Sequence, residues 1–116
     1  MRGFVKAYFK GMQDMLRDPN AALDAVLAAD QSKLMEREAE KVRLQVALDD
    51  LIVTPEAESL GLGAVDPTRL QTSITQTVEG FGLKSQPTVA DIFTDQFLPP
   101  KEQRNIPPQN ERTPLS

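Results

Sequence analysis

The chain has 116 residues with 13 basic and 17 acidic side chains, a net charge of −4, and no His, Cys or Trp. Without imidazole or thiol there is no Ser-His-Asp or Cys-His nucleophile and no Cys/His zinc site, so the chain is read as a non-enzyme. The acidic balance excludes a general nucleic-acid or anionic-membrane binder, and the length allows one small domain with a modest core.

From the N-terminus, residues 2–17 carry Phe4, Val5, Tyr8, Phe9, Met12, Met15 and Leu16 at three- and four-residue spacing, the mark of an amphipathic helix. Asp18-Pro19 ends that helix and starts the next, because Pro disfavours helical geometry before it and fits a first turn. The second helix runs to about Asp30 with Leu23, Val26 and Leu27 on its apolar side. A third, the longest, is expected over 32–53, with Leu34, Met35, Val42, Val46, Leu48, Leu51 and Ile52 as its apolar positions.

Thr54-Pro55 opens a short helical turn that Gly61 can close. Asp66-Pro67 opens a helix with Leu70, Ile74, Val78 and Phe81 on one face, stopped near Gly80 and Gly82. Thr88-Val89-Ala90-Asp91 has the form of a capping box before Ile92 and Phe93. No alternating strand pattern of useful length occurs. The fold class is therefore mainly α, with five or six short-to-medium helices over residues 1–98.

Residues 99–116 hold five of the nine prolines among Lys, Glu, Gln, Arg and Asn, so they are expected to form an extended or disordered, solvated tail. Charge is uneven along the chain: +3 over residues 1–17, −7 over 18–66 and zero over 67–116. No secretory signal opens the chain, and no window approaches the roughly 20 apolar residues of a membrane span. As written, the chain is expected to be cytoplasmic.

Candidate chemistry is sparse. Glu36 and Glu40 would share a helix face, but Lys33, Arg37, Lys41 and Arg43 offer ion pairing instead of a cation site. Asp49 and Asp50 point about a third of a turn apart. Gly61-Leu62-Gly63 and Gly80-Phe81-Gly82 lack the spacing of a phosphate loop and read as helix stops. Tyr8, the one phenol, lies on the apolar stripe. No catalytic, cofactor or metal residue is assigned, and no cofactor is expected.

Three stretches in order carry a family resemblance. They are GFVKAYFKG at 3–11 followed by DPNAA at 18–22, GLGAVDPTRL at 61–70, and DIFTDQFLPP at 91–100. Together they resemble the C-terminal third of substrate-binding proteins of ABC transporters, of the nitrate/sulfonate/taurine and thiamine-pyrimidine-precursor type. The resemblance covers about residues 2–100.

It implies a helical part of a two-lobed α/β periplasmic-binding fold, and a role in binding a small solute and delivering it to an ABC permease. Family members are periplasmic or lipid-anchored, and their ligand contacts lie mostly upstream of the matched region, so no ligand-binding residue is carried over. Most of the cleft and the sheets of both lobes are missing from 116 residues. The chain is accordingly read as a truncated gene product, an internal start or a natural remnant, not ligand-competent alone.

Two consequences are expected: half a cleft should not bind a solute tightly, and apolar surface should be left bare. Helices that cover a sheet in the family should expose apolar surface here near Phe4, Phe9, Phe93 and Phe97, favouring self-association. The alternative is a freestanding helical interaction protein that docks a partner through the apolar stripe of its first helix.

Overall fold

A computed structural model describes Met1–Ser116, and it contains helices, turns and extended segments but no strand. Six α-helices follow one another: α1 (Arg2–Arg17), α2 (Pro19–Ala29), α3 (Arg37–Val46), α4 (Pro55–Leu60), α5 (Pro67–Phe81) and α6 (Val89–Ile92). A π-helical segment, Ala47–Ile52, continues α3, and two 3-10 turns, Lys101–Gln103 and Gln109–Glu111, punctuate the C-terminal stretch. No helix is long and apolar enough to cross a membrane.

The caps explain most boundaries. Asp18 Oδ1 accepts from the Ala21 amide, Thr54 Oγ1 from the Ala57 amide, and Asp66 Oδ1 from the amides of Thr68 and Arg69. Each cap is followed by Pro at the first helical position, where a missing N–H leaves nothing unpaired. Thr88 and Asp91 form a reciprocal capping box over α6. At the other end of α5, Gly82 takes the left-handed conformation that closes the helix.

The third helix begins five residues later than the periodicity suggests. The carboxylate of Asp30 accepts from the backbone N–H of Ser32, the Ser32 hydroxyl and the Met35 amide, so a side chain holds residues 31–35 in a loop. Competition of this kind from a short acidic side chain is a general rival to helix. At its C-terminal end α3 widens into the π-helical segment, where the Val53 amide reaches back to the Leu48 carbonyl at 3.0 Å. That geometry sets Leu48, Ile52 and Val53 against α1 and leaves Leu51 outside.

The core is small. Its buried hydrophobic residues are Phe9, Leu16, Leu23, Leu62 and Ile74; Phe9, Leu16 and Leu62 form one cluster, with Val5, Met12, Met15, Leu48, Ile52, Val53, Ala57, Leu98 and Ile106 packed against it. Ile74 of α5 is buried apart from this cluster, where α5 packs on α6. An ion pair between Glu56 and Arg69 ties α4 to α5, and Glu56 Oε1 also accepts from the Asp66 amide at 2.9 Å.

The C-terminal stretch follows a defined course. Residues 99–116 run largely extended along the helices, most of them exposed to solvent but tied down at a few points. The Leu62 amide donates to the Arg104 carbonyl at 2.7 Å, the Thr113 amide to the Arg17 carbonyl at 2.8 Å, and the Ser116 amide to Asn20 Oδ1 at 2.9 Å. Leu98 and Ile106 join the core, and Pro107 is buried. Prolines that cannot continue a helix still supply apolar surface, and side chains and carbonyls elsewhere satisfy the strand-like backbone.

For its mass the molecule is open. Its radius of gyration is 17.2 Å, whereas a compact chain of this length has about 13 Å. Its accessible surface is 8246 Å², roughly 2,000 Å² above the area expected of a folded monomer of this mass. The excess includes large apolar side chains, among them Phe4, Tyr8, Leu34, Val42, Val46, Leu51 and Phe81. Periodicity gave these residues a face; the fold gives that face nothing to meet.

Candidate functional site

Two open clefts hold the polar groups most able to act together. The first, of about 540 Å³, lies between α1, the π-helical segment and the Gly61–Ala64 turn. Phe9, Met12, Ile52 and Leu62 form its apolar floor, Tyr8 and Leu51 its open rim. Tyr8 meets Phe9 edge to face with ring centroids 5.7 Å apart, a favourable arrangement that leaves its own outer face to solvent.

The second cleft, of about 400 Å³, lies between the C-terminal stretch and the α1–α2 corner. It is lined by Leu16, Leu48, Asp49, Arg112 and Leu115, among others. Arg112 Nε is buried without a hydrogen-bond partner. Asp49, which also lines this cleft, accepts from Gln45 Nε2 with both carboxylate oxygens at 3.0 Å. A small polar solute would meet one guanidinium and one carboxylate here, in a volume within the usual range for ligand pockets but open to solvent.

The acidic pairs singled out in the sequence do not converge. Glu36 precedes α3 as its cap and does not share a helical face with Glu40, which pairs with Arg43. Asp49 and Asp50 diverge across the π-helical segment toward different clefts. No group of three or more Asp or Glu gathers to hold a metal ion. The remaining ion pairs, Lys10–Asp14, Arg17–Asp14, Arg37–Asp24 and Lys41–Glu38, are solvent-exposed and each worth at most about 1 kcal/mol.

The glycine pairs are stops, and the first is also a docking point. Gly61 has φ 86° and closes α4. Arg104 sits over it: its Nη1 donates to the carbonyls of Leu60 at 2.8 Å and Leu62 at 3.2 Å, and its Nε to the Pro99 carbonyl at 3.0 Å. A Cβ on Gly61 would stand 2.7 Å from that Nη1. Gly63, with φ 81°, lies so close to the Phe9 ring that a Cβ there would overlap Phe9 Cζ. Sequence reasoning missed Arg104, since its partners are backbone carbonyls 42 and 44 residues upstream and leave no trace in local pattern.

Of the four phenylalanines expected to be bare, Phe4 is 72% exposed, Phe93 and Phe97 are half-buried, and Phe9 is only 8% exposed. Phe9 is the correction: Gly63 and Leu98 close over its ring.

Two carboxylates titrate below their ordinary range. The Ser32 hydroxyl and then the Met35 amide hold Asp30 down, and the Thr88 backbone N–H and then its hydroxyl hold Asp91 down. A carboxylate with a lowered folded pKa stabilises the fold above its unfolded value and loses that contribution as pH falls through the folded value. Acid titration is therefore expected to loosen the 31–35 loop and α6 below the ordinary carboxylate range. Amide shifts of Ser32, Met35 and Thr88 followed by NMR would move together with their carboxylates; shifts that stay flat to low pH would contradict this.

Comparison with protein-family models, curated proteins and solved structures finds no match to this chain.

Proposed function

We propose that the chain is part of the solute-binding component of an ABC importer, of the type that carries nitrate, sulfonates or pyrimidine precursors of thiamine. The observation that carries the proposal is the ordered set of motifs at 3–22, 61–70 and 91–100. The open architecture supports it: amphipathic helices whose outer apolar residues have no partner are what a layer that covers a sheet looks like without the sheet. In this role the chain contributes helices and a wrapping C-terminal stretch to a lobe, while binding and delivery to a permease belong to the larger assembly. The role is transport in the periplasm, not catalysis.

Neither cleft encloses a ligand, so the chain alone is expected to bind solutes weakly. Calorimetric titration with nitrate, taurine and an aminopyrimidine should give no submicromolar binding; tight binding of any of them would overturn the idea that the cleft is incomplete. The family reading is tested separately in the DNA upstream of Met1. An in-frame extension encoding strands and an export signal is expected, and a promoter and ribosome site directly before Met1 with no such frame would contradict it.

A further inference from the structure

The apolar stripe of α1 splits lengthwise. Val5, Phe9, Met12 and Leu16 face the core, while Phe4 and Tyr8 lie along the stripe's outer edge, exposed by 72% and 59%. Ala7 and Gly11 are exposed beside them. Residues 4, 7, 8 and 11 thus recur at the three- and four-residue spacing of a helix-pairing seam, with two large aromatic rings and two minimal side chains. Leu51, 75% exposed, continues this surface across the rim of the first cleft.

We infer that this edge of α1 is a self-complementary dimer surface and that its occupant is α1 of a second copy, running antiparallel. A two-fold axis crossing between Ala7 and Tyr8 sets Phe4 opposite Gly11 of the second copy, and Tyr8 opposite its Ala7. Each large side chain then meets a small one, which lets the helices approach closely and fills the space over each glycine. The match exists only in the antiparallel sense; a parallel pair would set Phe4 on Phe4 and Gly11 on Gly11. An isologous contact of this kind closes after two copies and leaves no free edge to propagate.

A stable interface takes about 800 Å² from each partner, and on this edge Phe4, Tyr8 and the neighbouring Leu51 supply the exposed apolar part of it. Gly11 also carries the discriminating test, because a Cβ placed there has no atom within 4 Å in the single chain. A larger side chain at Gly11 therefore fits the monomer and, by helix propensity, strengthens α1. Only the seam has no room for it.

The inference does not depend on the importer reading, which is tested on DNA and solutes, whereas this one is tested on association of the 116-residue chain. Sedimentation equilibrium across a dilution series should report a reversible monomer–dimer equilibrium. Phe4→Glu and Gly11→Leu should each weaken association about tenfold or more, while far-UV circular dichroism shows the helices retained or, for Gly11→Leu, increased. Ala7→Cys, in a chain with no other cysteine, should cross-link to a covalent dimer under mild oxidation. A monomer at all concentrations, aggregates of no fixed size, or a dimer indifferent to Gly11→Leu would each overturn the proposal.

Discussion

Replacing Phe9 with alanine is expected to unfold the isolated chain. The ring is one of only three residues that form the buried cluster, and the Gly63 turn lies directly against it. Deleting a buried phenylalanine ring costs about 3–5 kcal/mol, the transfer free energy plus the cavity left behind. Native domains hold about 5–15 kcal/mol in total, and a core of five buried hydrophobic residues places this chain at the low end. Phe81→Ala is the matched control, since that ring is 80% exposed at the end of α5 and its loss should change stability by less than about 0.5 kcal/mol. Urea titration of both variants checks the pair. A Phe9→Ala protein as stable as Phe81→Ala would show that the cluster does not carry the fold.

Arg104→Ala is expected to release the C-terminal stretch while leaving α1 to α3 folded. One guanidinium accounts for three hydrogen bonds to the carbonyls of Pro99, Leu60 and Leu62, and two of these bonds are part-buried. Charge-assisted hydrogen bonds contribute about 1.5–3 kcal/mol each when measured singly, and because these share a donor group their joint loss is set at about 3 kcal/mol. Arg104→Lys should recover only part of the loss, because an ammonium is a point donor and cannot span carbonyls on both sides as the planar fork does. Limited proteolysis would read the release as early cleavage within 105–116, and hydrogen exchange as lost protection at Leu62 and Thr113. Unchanged cleavage in Arg104→Ala would mean that Ile106, Pro107 and the Thr113 bond hold the stretch unaided.

These two residues also mark what the sequence displays and what it conceals. Helix starts at Pro19, Pro55, Pro67 and Val89 were legible because each rests on a side chain within three residues of the amides it caps. The extent of α1 was legible for the same reason, with a periodic stripe that ends at Asp18-Pro19. Residues 31–35 were not, because Leu34 and Met35 continue an apolar pattern while Asp30 draws the backbone into a loop.

Burial was less legible than local conformation. Val42 and Val46 have the spacing of core residues and remain exposed, since a moment along a helix gives a direction but not a partner. The docked course of 99–116 was hidden for a related reason. Its composition resembles that of a solvated terminus, and what holds it is Arg17, Asn20, Leu62 and the core cluster, all distant in sequence. At the clefts, the sequence supplied Asp49 and Tyr8 as isolated polar groups. Only the fold shows that Asp49 and Arg112 line one cleft and that Tyr8 lines the other.

The central claim is that these helices form a covering layer with an unfilled apolar side. Such a chain is expected to gain stability when that side is covered, and a second copy is the covering partner inferred above. Thermal unfolding of the purified 116-residue chain at several concentrations tests this most directly. The account predicts a midpoint that rises with protein concentration, as mass action requires of a fold completed by association. A sharp transition from a monomer, with a midpoint independent of concentration, would contradict it.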